Sequence, residues 1–489
     1  MLFNTLQYAY FLPSVVVAYY LLPARWRPWL LLVASYIFYA SWNALYLILI
    51  IGLTLANYGV GLGLAKLESQ PKSRAWLLRL GVIGNLGVLV FYKYTEFLLN
   101  NFLQALGLAG LKFTNPEFSL ILPLGISFFT FEFIHYLVDV GRGQPAVKSL
   151  LKFALFAAFF PTQIAGPIKR YEAFVGQLDN LPPFEWARIG AGIKLILVGL
   201  FKKIALADNL APLVGLGFGA VGPGQYLGPL QAWITVLAFA MQIYFDFSGY
   251  TDVGRGSALL FGYSVPENFN RPYLGRNISD FWRRWHMSLS SWLRDYLYIP
   301  LGGNRGHRYR NLFLTMLIGG LWHGANWTFV AWGAFHGGLL VVFWWFKGRG
   351  LNENSSLLPQ GRLWQTTQSL LNWAVTFALV CVGWVFFRAS DIGQALAMLH
   401  SMSGWRTGNT GVLTLNQRLF VLAIVVGCLA FELMLEQREK LGFWVSKAKW
   451  VGRLSVIGRS LQPVGYVLLL ALILIARPVS AGRFIYFQF

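Results

Sequence analysis

Apolar runs of about 20 residues, the length that crosses a bilayer as a helix, recur from one end of this chain to the other. The candidates are Leu6–Leu22, Trp29–Tyr39, Leu45–Leu64, Leu78–Leu99, Leu120–Val140, Leu151–Ile168, Ile189–Leu206, Leu227–Phe245, Ser257–Tyr263 with its flanks, Asn311–Phe346, Leu370–Phe387, Leu419–Leu435 and Pro463–Ile475. In hydrocarbon, every backbone N–H and C=O must find its partner inside the protein, so such runs fold as helices. Of 489 residues, 56% are hydrophobic and only 12% charged, about half the charge of a soluble domain. The expected fold is an all-α polytopic membrane protein, one domain over residues 1–489, with about 10 to 12 crossings plus re-entrant and interfacial helices.

The charge that remains is basic, 40 Lys and Arg against 19 Asp and Glu, for a net +21. In a soluble chain that excess would suggest nucleic acid. Here the economical account is basic loops held on the cytoplasmic face, beside membrane lipid, with no nucleic-acid partner. Arg25 and Arg27 follow the first run, and Lys66, Lys72, Arg74 and Arg79 follow the third. If both loops are cytoplasmic, the N-terminus is periplasmic or extracellular. Cys381 and Cys428 both lie in apolar runs, which fits buried packing rather than a disulfide framework.

Chemistry concentrates between Asp280 and Gly338, which carries four of the six histidines. Its second half, Asn311–Phe346, is nearly uncharged and too long for one upright span, and Gly319, Gly320 and Gly324 are candidate breaks. Within it stands Trp322-His323-Gly324. A titratable ring inside an apolar span is a functional-site candidate, although histidines also serve as hydrogen-bonding glue between helices. A neutral imidazole in such a setting can accept a proton from a reacting group. Trp322 and Trp327 are placed to exclude water, and Gly324 to leave room for a chain-like substrate. His286 closes the block FWRRWH, 37 residues earlier; it could orient His323, donate to a carbonyl oxygen, or anchor an interfacial helix.

Ser279 and Asp280 are set to cap a helix starting at Phe281. On it, Trp282, Trp285, Leu289 and Leu293 recur at helical spacing and share a face. Arg283, Arg284 and Arg294 fall elsewhere, for lipid headgroups or donor phosphates. His336 lies 13 residues after His323, on a different side of a continuous helix, and is expected to pack. His135 and His400 are expected to do the same, and His307 to lie in a solvated basic loop. No metal site is expected, since no HExxH block occurs. Asp246 and Asp252 interrupt an apolar segment. Buried carboxylates need partners, for which Arg255, Tyr250 and Ser248 are candidates. A charge pair or cap is favoured over a carboxylate that orients His323. Asn352–Gly361 reads as a polar loop.

FDFSGYTD (Phe245–Asp252), PENFNRPYLGRNISDFWRRWH (Pro266–His286), RDYLYIPLGGNR (Arg294–Arg305) and LWHGANW (Leu321–Trp327) resemble the membrane-bound O-acyltransferase family. The resemblance covers most of the chain and is densest from Tyr244 to Gly338. It is nearest the AlgI-like branch, alginate and polysaccharide O-acetyltransferases of the bacterial inner membrane. In that family the histidine of the WHG block is catalytic, which His323 matches, and a second important histidine matches His286. Trp282, Arg284, Trp285, Trp322, Gly324 and Trp327 then form the expected substrate-binding set, with Asp246 and Asp252 as supporting residues. The resemblance implies acetyl transfer from a cytoplasmic thioester, acetyl-CoA being a plausible acyl donor, with no bound cofactor. The acceptor would be an exported polysaccharide, reached with a periplasmic acetyltransferase or polysaccharide-export partner. D-alanyl transfer from a carrier protein is the close alternative. A transporter or flippase of glycan precursors, and a non-catalytic export scaffold, are the competing classes.

Overall fold

The computed structural model describes residues 1–111, 120–163, 166–180, 182–349, 362–406, 408–445 and 464–478. Asn352–Gly361 therefore lies outside the described residues. Among those described, the secondary structure is helical, with no β-strand. Six helices are long and apolar enough to cross a membrane by length and composition: Ala44–Lys66, Pro71–Leu108, Pro229–Leu260, Trp327–Gly348, Trp364–Arg388 and Leu415–Glu439. Leu6–Leu21 and Val464–Ile475 are shorter apolar helices. Several other expected crossings are short or broken. Gly125, at φ 72°, delays one helix until Ile126, and Phe159 separates Leu150–Ala158 from Phe160–Gln163. The chain is a multipass helical membrane protein.

The described residues form two compact units, Met1–Ile196 with Thr251–Glu267, and Leu197–Tyr250 with Asn268–Phe489. In the first unit, Asn57 and Asn85 exchange reciprocal side-chain hydrogen bonds at 2.7 and 3.0 Å. Gly61 leaves room for the phenol of Tyr136, which an added Cβ would overlap. The Lys169 ammonium sits 2.8 Å from both Glu132 and Thr162 and is buried with them. Such a pair costs desolvation and is recovered only when every partner is in place. His135 accepts a hydrogen bond from the Tyr171 N–H at 3.2 Å, the packing role expected of it.

The second unit holds both candidate histidines, His286 and His323. Its core is rich in aromatics, with Tyr244, Tyr273, Phe281, Trp285, Trp332 and Trp384 all buried. The Pro229–Leu260 helix runs unbroken where the sequence suggested two runs separated by a polar stretch. The reason is a partner from elsewhere in the chain. Lys203, in the π-helical turn Phe201–Ala207, meets Asp246 at 2.5 Å and Asp208 at 2.8 Å, all three nearly inaccessible. With its charge compensated, Asp246 stays inside a helix. Asp252, in the first unit, pairs with Arg255 at 3.8 Å. The expected charge pairs therefore exist: Asp252 takes Arg255, one of the expected candidates, and Asp246 takes Lys203, a cation distant in sequence.

Candidate functional site

The apolar stretch around His323 folds as a helical hairpin. Arg308–His323 ends at His323, Gly324 is extended at φ −164°, and Trp327–Gly348 begins after an Asn326 N-cap whose side chain accepts from Thr328 N–H at 3.0 Å. Of the three glycines expected to break the run, only Gly324 does. Gly320 is a packing glycine: a Cβ there would lie 2.4 Å from the Phe329 carbonyl and 2.9 Å from Gly333 Cα. Small residues at a helix crossing let two backbones approach closely. Gly324 itself makes room for the Phe329 ring, which an added Cβ would meet at 2.1 Å.

His286 overturns the expected continuous helix through FWRRWH. Ile278–Arg284 and Met287–Leu293 are separate helices, with His286 between them at φ 45° and ψ 52°. This left-handed conformation is costly for a residue with a Cβ, by about 1–2 kcal/mol, and persists only where the surroundings impose it. The segment before it does so. Asn268 O accepts from Met287 N–H at 2.9 Å, and Asn270 N–H donates to Arg284 O at 2.9 Å. Asn268 Oδ1 accepts from the Ser288 hydroxyl at 2.6 Å. The polar Pro266–Asp280 stretch thus laces the turn that presents His286. The first of these helices is capped by Asn277, whose side chain accepts from Asp280 N–H at 2.8 Å, and not by Ser279 or Asp280.

The break redistributes the residues expected to share a face. Trp282, Leu289 and Leu293 line a cavity of about 220 Å³ that His323 also lines. Trp285 turns instead into the aromatic core, with ring centroids 4.9 Å from Trp384 and 5.7 Å from Phe281. Arg284 is engaged by Asp280 at 3.0 Å. Trp327 is 55% exposed and does not line the cavity. Trp322 is buried and lies with its centroid 5.0 Å from His323 and 6.3 Å from His286. Of the expected substrate-binding set, Trp282 alone lines the cavity.

The two site histidines are brought together. Their ring centroids stand 6.5 Å apart with planes at 70°. His286 is buried, with its ring tilted 35° to that of Phe247 at 4.7 Å, and burial pushes its imidazole down to about 3, so its ring is neutral near pH 7. His323 is 6% exposed, bounded by Trp332 at 5.1 Å and Phe387 at 5.2 Å. The hairpin places His336 on the second helix, so the expectation of two sides of one helix does not hold: both His323 and His336 contact Trp332. His336 is fully buried among rings, a packing position.

Sequence reasoning missed Lys203, Asn268 and Trp332. Asn268 carried a weak signal, three asparagines in a stretch otherwise hard to satisfy beside a membrane; Lys203 and Trp332 had none beyond composition. The cavity is also lined by Tyr298 and by Arg294, whose side chain is 64% exposed and pairs with Asp295 at 2.7 Å. The site is therefore an apolar pocket with a cation at its rim and a histidine inside, the general form of a small-molecule site.

Residues 125–347 match the MBOAT, membrane-bound O-acyltransferase, family. The chain is 43% identical to the "Probable alginate O-acetylase AlgI" of Pseudomonas aeruginosa over 406 residues, 81% of this chain and 74% of that protein. It is 39% identical to the peptidoglycan O-acetyltransferase of Helicobacter pylori, covering 83% of this chain and 80% of that protein. It is 30% identical to the teichoic acid D-alanyltransferase of Bacillus subtilis, covering 56% and 70%. Similarity of this degree and extent, in a helical membrane chain, establishes that the protein belongs to the membrane-bound O-acyltransferase family and is an acyltransferase.

Proposed function

We propose that this protein moves an acetyl group from a cytoplasmic thioester, acetyl-CoA being the donor best suited to that role, toward an exported polysaccharide, with His323 as general base. The observation that carries the reading is the position of His323, nearly inaccessible yet on the wall of the cavity. In the reaction, the acceptor hydroxyl gives its proton to the His323 ring as its oxygen attacks the acyl carbonyl. The carbon–sulfur bond then breaks, and the departing thiolate takes the proton back from the imidazolium. The products are an ester and a free thiol, and the histidine is restored. His286, close to His323 and neutral, is placed to orient that ring or to donate to the carbonyl oxygen.

Greater identity to the two O-acetylating relatives than to the D-alanyl-transferring one supports acetyl over D-alanyl. The basic loops support a cytoplasmic donor side, a periplasmic N-terminus and a place in a bacterial inner membrane. A periplasmic acetyltransferase or export protein is the partner that would complete delivery.

The test is acyl transfer from labelled acetyl-CoA in membranes carrying wild type or His323→Ala at equal folded amounts. Loss of the general base lowers the rate by about 10²–10⁴-fold. Transfer at the wild-type rate removes His323 from the mechanism. Movement of glycan precursor into proteoliposomes without acylation supports a flippase instead.

A further inference from the structure

Two adjacent glycines in the helix that ends at His323 have different reasons to be there. Gly320 is required by the close crossing with Gly333. Gly319 has no such constraint: the sole atom within 4 Å of a Cβ built there is Leu293 Cδ1, at 3.2 Å. Gly319 and Leu293 both line the cavity. Gly319 precedes His323 by four residues, one helical turn, so it lies on the same face, directly below the ring. Glycine is disfavoured in a helix interior, and here the neighbour a side chain would crowd is the flexible tip of Leu293 and not a backbone crossing. What its missing side chain preserves is the seat of the Leu293 tip against the helix at the cavity wall, which an added side chain would push aside.

We propose that Gly319 and Leu293 form the gauge that limits this acyltransferase to short acyl groups. The inference rests on the reading of His323 as the reacting base. A cavity of about 150 Å³ holds one benzene, so about 220 Å³ holds roughly nine non-hydrogen atoms. An acetyl thioester and the start of its arm fit that space. An octanoyl group adds about six carbons and does not fit beside the arm. Gly319 and Leu293 line the same cavity as His323, and Gly319 lies one helical turn before it. A methyl at 319 takes room there while disturbing only the tip of a flexible side chain, so the substituted helix keeps its fold.

The experiment compares wild type, Gly319→Ala, Gly319→Leu and the double variant Gly319→Ala/Leu293→Ala in membranes. Each is supplied with labelled acetyl-, butyryl- or octanoyl-coenzyme A, and its folded amount is measured by fluorescence-detected size exclusion. Wild type is expected to use the acetyl donor at least tenfold better than the octanoyl donor. Gly319→Ala is expected to lose several-fold with acetyl and more with butyryl, Gly319→Leu tenfold or more with both, and the double variant to regain butyryl transfer. Should Gly319→Leu fail to fold, Gly319→Ala and its double variant decide the matter alone. Wild-type acyl preference in a folded Gly319→Ala overturns the gauge while leaving His323 in place. Undiminished acetyl transfer by His323→Ala in the same assay overturns the catalytic reading and the gauge with it.

Discussion

The indole of Trp332 stands edge-on to the imidazole of His323, their centroids 5.1 Å apart and their planes at 84°. One wall of the cavity and the proposed base are therefore held by the same contact. Trp332 is 1% exposed and packs also on Phe387 at 5.5 Å. Truncation to Ala removes a large buried ring and costs about 3–5 kcal/mol, enough to lower folded yield. Trp332→Phe keeps most of the volume. It is expected to retain the fold while reducing acyl transfer, measured per folded molecule, by about tenfold, a loss of about 1.4 kcal/mol at the transition state. An unchanged rate in folded Trp332→Phe would show that this contact does not position His323.

The triad of Lys203, Asp208 and Asp246 gives a sharp asymmetry. Lys203→Met leaves two buried carboxylates without their cation, and breaking such a group costs about 3–5 kcal/mol. The expected result is loss of folded protein in size exclusion. Asp208→Asn keeps one ion pair and is expected to lose less. Equal yields for the two variants would show that the cation is not what keeps Asp246 in the helix.

Gly324 and Gly320 are predicted to be intolerant for a reason unrelated to substrate. An alanine at either overlaps the Phe329 ring or backbone, overpacking worth about 1–3 kcal/mol. By contrast, Gly319→Ala gains about 1 kcal/mol of helix propensity. Thermal unfolding in detergent should place Gly319→Ala at or above wild type and the other two below it.

His286 makes stability depend on pH. Its imidazole is pushed by burial from 6.5 to about 3. Between those values the unfolded chain binds a proton that the folded chain does not, so this contribution is complete above pH 6.5 and is lost as pH falls toward 3. His286→Phe removes it. Melting temperatures measured from pH 7 to pH 4 should fall more steeply for wild type than for His286→Phe; parallel profiles would show that the ring is not held neutral.

Much of this protein was legible in its sequence because the relevant signals are local. Contiguous apolar runs fix helices, since a chain in hydrocarbon has no other way to satisfy its backbone. The WHG block placed a histidine in an apolar span, and that histidine does line a cavity. What the tertiary structure decided are the pairings between elements distant in the chain. Asp246 found Lys203, 43 residues away, where spacing had pointed to Arg255, Tyr250 and Ser248. The helical periodicity of Trp282, Trp285 and Leu289 was real, yet Asn268 and Asn270 stop the helix at His286 by taking its turn into their own hydrogen bonds. Gly319 and Gly320 are indistinguishable as letters, and only the surfaces opposite them separate a close crossing from a cavity wall. Hydropathy reports each residue's preference for solvent or interior, whereas these outcomes depend on which side chain stands across from it, which is set when helices pack.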